Sequence, residues 1–161
     1  MTQFADGPTV EVTAHINAPA SEVWSYITDI NLSARFQDEF LKAEWLDEGP
    51  ALGARFLGRN AGWSRTWETT STVVGYEPNR LFSWAVNDVD DPAATWTFRI
   101  VDNGGDALLV YHRVAGPGPS GLKTAIEKYP EREEEIIAAR DAQHREHMQA
   151  VVDGVKELAE A

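Results

Sequence analysis

Residues 131–159 read EREEEIIAARDAQHREHMQAVVDGVKELA, a run without proline in which Gly154 is the one helix breaker. Such a run predicts a long helix that begins after Pro130. At about 100° per residue, Ile137, Asp141, His144, Met148, Val151, Val152, Val155 and Ala159 share one face, and charged residues occupy the other. The polar members of the buried face, Asp141 and His144, lie toward its N-terminal end. An amphipathic helix this long has to lay its apolar stripe against something, so the rest of the chain is read for a surface that can cover it.

Upstream, Thr9 to Ile16 alternates with Val10, Val12, Ala14 and Ile16 on one face, the period of a half-buried strand, which turns His15 to solvent. Pro19 suits a first helical turn, and Val23, Trp24 and Ile27 make a short apolar stripe to about Thr28. A second short helix is expected within Asn31 to Phe40. Six further strands follow near Leu41–Leu46, Ala54–Asn60, Arg65–Val74, Leu81–Asn87, Thr95–Val101 and Ala107–Ala115, separated by short Gly-, Pro-, Asn- and Asp-bearing turns. Links this short permit antiparallel meandering and exclude parallel crossovers. The expected class is α+β: a seven-stranded curved antiparallel sheet wrapped around the long C-terminal helix, with two short helices between the first and second strands. A single domain over 1–161 is expected, with 1–8 flexible and 116–130 a loop and helix insertion before the terminal helix.

The chain of 161 residues carries 26 Asp and Glu against 14 Lys and Arg, a formal charge of -12, which repels nucleic acid and anionic headgroups. Arg55, Arg59 and Arg65 form a local basic group that reads as solvated strand arginines. The absence of cysteine excludes disulfides, thiolate nucleophiles and cysteine-held metals. No apolar run is long enough for stable membrane insertion, and the first residues lack a signal-peptide pattern, so a cytoplasmic location is expected.

The segment Ile16-Asn-Ala-Pro-Ala-Ser-Glu-Val-Trp24, then Tyr26-Ile-Thr-Asp29, Glu77-Pro-Asn-Arg80 with Leu81-Phe-Ser-Trp84, and the terminal helix resemble the superfamily of the birch pollen allergen and START lipid-transfer domains, SRPBCC, and within it the polyketide cyclase/dehydrase-like branch. The resemblance spans about Thr9 to Leu158. It implies a helix-grip fold with a pocket between sheet and terminal helix. Relatives use that pocket for lipid transport, hormone binding, polyketide cyclisation or co-chaperone work. No catalytic residue is shared across the superfamily, so none carries over. The acidic segment from Leu122 to Glu135 departs from the usual pattern before the helix.

Within that frame the aromatic residues Phe36, Phe40, Phe56, Trp67, Trp84, Trp96 and Phe98 are expected to wall a pocket for a small hydrophobic molecule of lipid, polyketide or aromatic type, while Trp24 is structural. A five-residue loop at Asp102–Asp106 sets Val101 opposite Ala107 and Trp96 opposite His112, which turns His112 inward. Met148, Val152 and His144 complete the expected ligand-binding set. A carboxylate at Asp141, three residues before His144, is placed to orient an imidazole, so His144 with Asp141 is the candidate general acid/base pair of a cyclase or dehydratase. Tyr111, Ser71 and Asn60 are further candidate polar contacts. His144-Arg-Glu-His147 lacks the spacing of a zinc motif, and Gly116-Pro-Gly-Pro-Ser-Gly121 lacks the N–H groups and following strand of a phosphate loop, so no metal and no cofactor are expected. A homodimer and a protein-interaction role stay open.

Overall fold

The computed structural model describes residues 3–62 and 65–161. Its strands are β1 (Thr9–Ile16), β2 (Phe40–Trp45), β3 (Arg55–Gly62), β4 (Arg65–Glu77), β5 (Leu81–Val86), β6 (Ala94–Asp102) and β7 (Ala107–Ala115), and its helices are α1 (Ala20–Ile27), α2 (Gly121–Lys128) and α3 (Glu133–Glu160). All pairings are antiparallel, in the order β1-β7-β6-β5-β4-β3-β2. The curved sheet grips α3, the helix-grip arrangement. Register shifts between Val73 and Gly75 in β4 and between Phe40 and Lys42 in β2 add local bend.

Three glutamates, Glu133, Glu134 and Glu135, open α3, where negative charge complements the helix dipole. Along its C-terminal half, Val151, Val152, Val155 and Ala159 bury against Val10, Val12, Ala14 and Ile16 of β1 in one apolar cluster. The same helix covers the β1 edge of the sheet. Arg145, Gln149 and Lys156 donate side-chain hydrogen bonds to the carbonyls of Glu11, Thr13 and His15 at 3.2, 3.4 and 2.8 Å, so the edge strand offers few unpaired acceptors to another chain. Gly154 has a packing reason: a Cβ there would lie 2.4 Å from Cε1 of Phe36, whose ring rests directly on the helix backbone.

The second helix expected between β1 and β2 is a single 3-10 turn, Ser33–Arg35. Its continuation is stopped by side-chain bonds that pull the chain into β2: Asn31 exchanges hydrogen bonds with the backbone of Ala43, and Gln37 Oε1 accepts from the N–H groups of Glu39 and Phe40. Of the start expected to be flexible, residues 1 and 2 lie outside the described residues. Phe4–Asp6 forms a 3-10 turn, and the Phe4 N–H donates to Glu133 at 2.9 Å. Before α3, Ser120 caps α2 by accepting from the Lys123 N–H, and a 3-10 turn at Pro130–Arg132 leads into the long helix. Gly116 and Gly118 are there for close approach, since a Cβ on them would lie 2.1 Å from the Pro92 carbonyl oxygen and 2.0 Å from that of Asp91. Among the described residues no helix is long and apolar enough to cross a membrane.

Candidate ligand site

The hairpin of β6 and β7 decides which side chains face α3. Asp102 pairs with Ala107, so the loop has four residues, Asn103–Asp106, and Trp96 stands opposite Arg113 rather than His112. The expected five-residue loop is therefore corrected by one residue, which exchanges the two faces of β7. His112 points outward, with Nδ1 3.3 Å from Glu11, and is not part of the cavity wall. Leu109, Tyr111 and Arg113 turn inward, and all three are buried.

Between the inner face of the sheet and the middle of α3 lies an inner chamber of about 130 Å³. Phe40, Phe56, Phe82, Trp84, Trp96, Phe98 and Tyr111 wall it on the sheet side, and Met148 and Val151 floor it. Phe98 and Tyr111 stack at 3.9 Å, and Phe56 and Phe82 each pack on Trp84. Polar groups also stand among the lining residues: Asp29, Ser33, Gln37 and Glu39 from the segment before β2, Asn60, Thr69 and Ser71 from β3 and β4, and His144 and His147 from α3. Burial pushes the Tyr111 phenol far above its ordinary range, so it remains protonated, with the Ser33 side chain as a smaller opposing influence.

The chamber adjoins an outer cavity of about 780 Å³ between β3, β4, β6, β7, α2 and α3. Asn60, Thr69, Trp96, His144 and His147 line both spaces, so they stand at the junction. Trp67 lines the outer cavity, with the Arg65 guanidinium 5.4 Å from its ring centre. At the same junction Arg140 of α3 holds Glu39 through two hydrogen bonds of 2.7 and 2.8 Å, tying helix to sheet across the rim.

Of the expected ligand-binding residues, the structure thus gathers Phe40, Phe56, Trp84, Trp96, Phe98, His144 and Met148 around the inner chamber and Trp67 around the outer cavity. Phe36 sits elsewhere, against Gly154, and Val152 is in the solid core, with Val151 taking the lining position. Trp24 packs edge-on to Tyr76 and Phe82. Arg55 and Arg59 pair with Asp47 and Glu68 at the surface.

The expected contact of Asp141 with His144 is replaced by a residue that the sequence reading missed. Arg113, 1% exposed, donates from Nε to His144 Nδ1 at 3.0 Å, from Nη2 to Asp141 Oδ1 at 2.6 Å and from Nη1 to the Pro8 carbonyl at 2.8 Å. Desolvation pulls the Arg113 pKa down, and the Asp141 carboxylate opposes it. Burial, with the positive Arg140 and Arg113 nearby, pushes the His144 pKa down to about 2. The signal for Arg113 was its parity on β7: with a four-residue loop at Asn103-Gly-Gly-Asp106, the side chains of Leu109, Tyr111 and Arg113 all face the helix.

Fold and cavity define a helix-grip domain whose sheet and terminal helix enclose an aromatic chamber. The chain belongs to the family described as polyketide cyclase / dehydrase and lipid transport, whose model matches residues 7–159. It is similar to the solution structure of a Polyketide_cyc-like protein from Corynebacterium glutamicum, at 28% identity over 94% of this chain and 91% of that one, with a TM-score of 0.70. The Zhui aromatase/cyclase from a Streptomyces species shares the fold at 19% identity, covering 94% of this chain and 93% of that one, with a TM-score of 0.65. So does a Thalictrum norcoclaurine synthase, at 14% identity over 93% and 94% of the two chains, with a TM-score of 0.55. A search of curated protein sequences gives no match.

Proposed function

We propose that the protein binds a small, flat, largely apolar molecule of aromatic or polyketide type, with one ring in the inner chamber and the remainder in the outer cavity. The observation that carries this is the chamber itself, walled by aromatic rings and opening on a larger space at a polar junction. Kept dry and empty, about 130 Å³ at about 24 cal/mol per Å³ costs about 3 kcal/mol, a sizeable part of a domain's net stability. Occupation by a ligand offsets that cost.

Titration with 1-naphthol tests the reading, because Trp84 and Trp96 report on the chamber through their fluorescence. Saturable quenching is expected, and Met148→Trp, which fills the chamber, should weaken the binding at least tenfold while leaving the circular dichroism spectrum intact. Equal affinity in the filled variant would overturn it.

The family and the aromatase/cyclase likeness favour a second reading, in which the bound molecule is also cyclised or dehydrated. His144 is then the residue that meets the substrate at the junction.

A further inference from the structure

Arg113 makes its contact with His144 in one polarity. A guanidinium has five N–H donors, no acceptor, and keeps its proton in proteins, so the 3.0 Å contact from Nε is accepted by the lone pair of His144 Nδ1. A neutral imidazole that accepts at Nδ1 carries its proton at Nε2. The other tautomer would set two N–H groups against each other, and the imidazolium would do so with like charges. Asp141, the carboxylate on the same helix face, is occupied by Arg113 and leaves the ring without an anionic partner. The charged and titratable groups that act on the ring besides Arg113 are Arg140 and His147 on α3, and Trp96 on β6 packs against it with its ring centre 5.1 Å from the imidazole. None of them stabilises a positive ring by charge. Among the described residues Nε2 has no hydrogen-bond partner, yet no buried side-chain nitrogen or oxygen is left unsatisfied, so Nε2 opens on the cavity space that His144 lines.

We propose that Arg113 fixes His144 as a permanent hydrogen-bond donor at Nε2, so that the site takes apolar molecules presenting an acceptor oxygen, a ketone, enolate or phenolate, to that atom. The inference rests on the reading of the chamber as a ligand site and narrows it to one chemistry. It also assigns roles. His144 touches the ligand oxygen as a neutral donor, and Arg113 is a positioning residue that acts through it. With Nδ1 occupied and Nε2 protonated, His144 has no lone pair with which to remove a proton. What it offers a carbonyl substrate is stabilisation of negative charge as it develops on oxygen, with no proton changing hands. The general acid/base role expected for His144 with Asp141 is accordingly replaced by that of an electrophilic donor.

Two measurements on the folded protein decide it. Long-range 1H–15N correlation spectra of the ligand-free protein should show His144 with a lone-pair-type Nδ1 and a protonated Nε2, unchanged as pH moves from about 8 to about 5, where an ordinary histidine gains its charge. An imidazolium pattern, or a proton on Nδ1, overturns the proposal whatever the pocket binds. Arg113→Gln, whose amide can donate or accept, should give mixed tautomers, and an unchanged single pattern in a folded variant would remove Arg113 from the role. The second measurement uses acetophenone and its shape match α-methylstyrene, in which a methylene replaces the carbonyl oxygen. Acetophenone should shift the His144 Nε2 resonance and α-methylstyrene should not. His144→Phe should reduce the affinity for acetophenone relative to α-methylstyrene by about fivefold, the net worth of one neutral hydrogen bond. Equal shifts, or an unchanged ratio, refute the selectivity for an acceptor. If neither compound perturbs any residue of the chamber, the ligand-site reading itself fails, and the ligand class falls with it while the spectrum still judges the tautomer.

Discussion

The two halves of α3 meet the same sheet and do opposite things. From Val152 onward the helix presents valine, alanine and glycine to β1, and the surfaces close: Val152 and Val155 are fully buried, and the ring of Phe36 seats on the bare backbone at Gly154. From Ile136 to Met148 the helix presents Arg140, Gln143, His144 and His147 to the far side of the sheet, and there the layers stay apart around the chamber and outer cavity. Small side chains allow interlayer contact, whereas long polar ones hold each other at a distance, with Arg140 bonded to Glu39 and Arg113 to Asp141 and His144. The proposed binding space therefore lies where the packing is left incomplete, and polar pairs span its rim.

The largest expected effect is at the seam between the halves. Arg113→Ala removes a buried cation and leaves the Asp141 carboxylate, the His144 Nδ1 and the Pro8 carbonyl without their donor. Breaking a buried pair from one side costs about 3 to 5 kcal/mol, so urea unfolding should show a loss of that size. A loss below about 1 kcal/mol, the scale of a surface pair, would mean that the network is no more than solvated charge.

The halves themselves separate under a pair of truncations. Val152→Ala, in the closed half, deletes buried methyl groups and leaves a void, for about 2 to 3 kcal/mol of stability with little change in 1-naphthol affinity. Phe40→Ala enlarges a space that is already open, and should cost about 1 kcal/mol of stability while weakening 1-naphthol about tenfold, since a wall of the chamber is lost. Reversed outcomes would place the binding surface in the wrong half.

What the sequence disclosed divides along the same line. Alternation in Thr9–Ile16 and the stripe of α3 are written in residue types, and both the sheet and the long helix were legible from them. So was the aromatic character of the chamber, because Trp84, Trp96 and Phe98 keep the parity of their strands. The polar end was not. It depends on whether the β6–β7 loop holds four residues or five, and turn residues such as Asn103-Gly-Gly-Asp106 suit either length. That single step exchanged His112 for Arg113 and turned an apparent carboxylate and histidine pair into three groups joined through an arginine. The short helix expected within 31–40 is present but contracted to one 3-10 turn for a related reason: the side-chain bonds of Asn31 and Gln37 to backbone groups replace helical ones, and periodicity does not register them.

The smallest of the expected effects reads the open half through pH. In the folded protein His144 stays neutral down to about 2, because burial and the neighbouring Arg140 and Arg113 disfavour its charge, whereas in the unfolded chain it titrates near 6.5. Between those values the unfolded state binds the extra proton, so acidification favours unfolding: the stabilising contribution is complete above the unfolded value and is lost as pH falls below it. From about pH 7 to about pH 5 the loss attributable to this one residue is about 2 kcal/mol. His144→Gln keeps an acceptor for Arg113 and has no such titration, so its stability should fall by about 2 kcal/mol less than that of the parent over the same interval. The comparison matters because the other histidines, among them His15 beside Asp106 and His112 beside Glu11, are common to both proteins. Parallel curves for parent and variant would show that His144 charges as readily folded as unfolded, which the bond from Arg113 forbids.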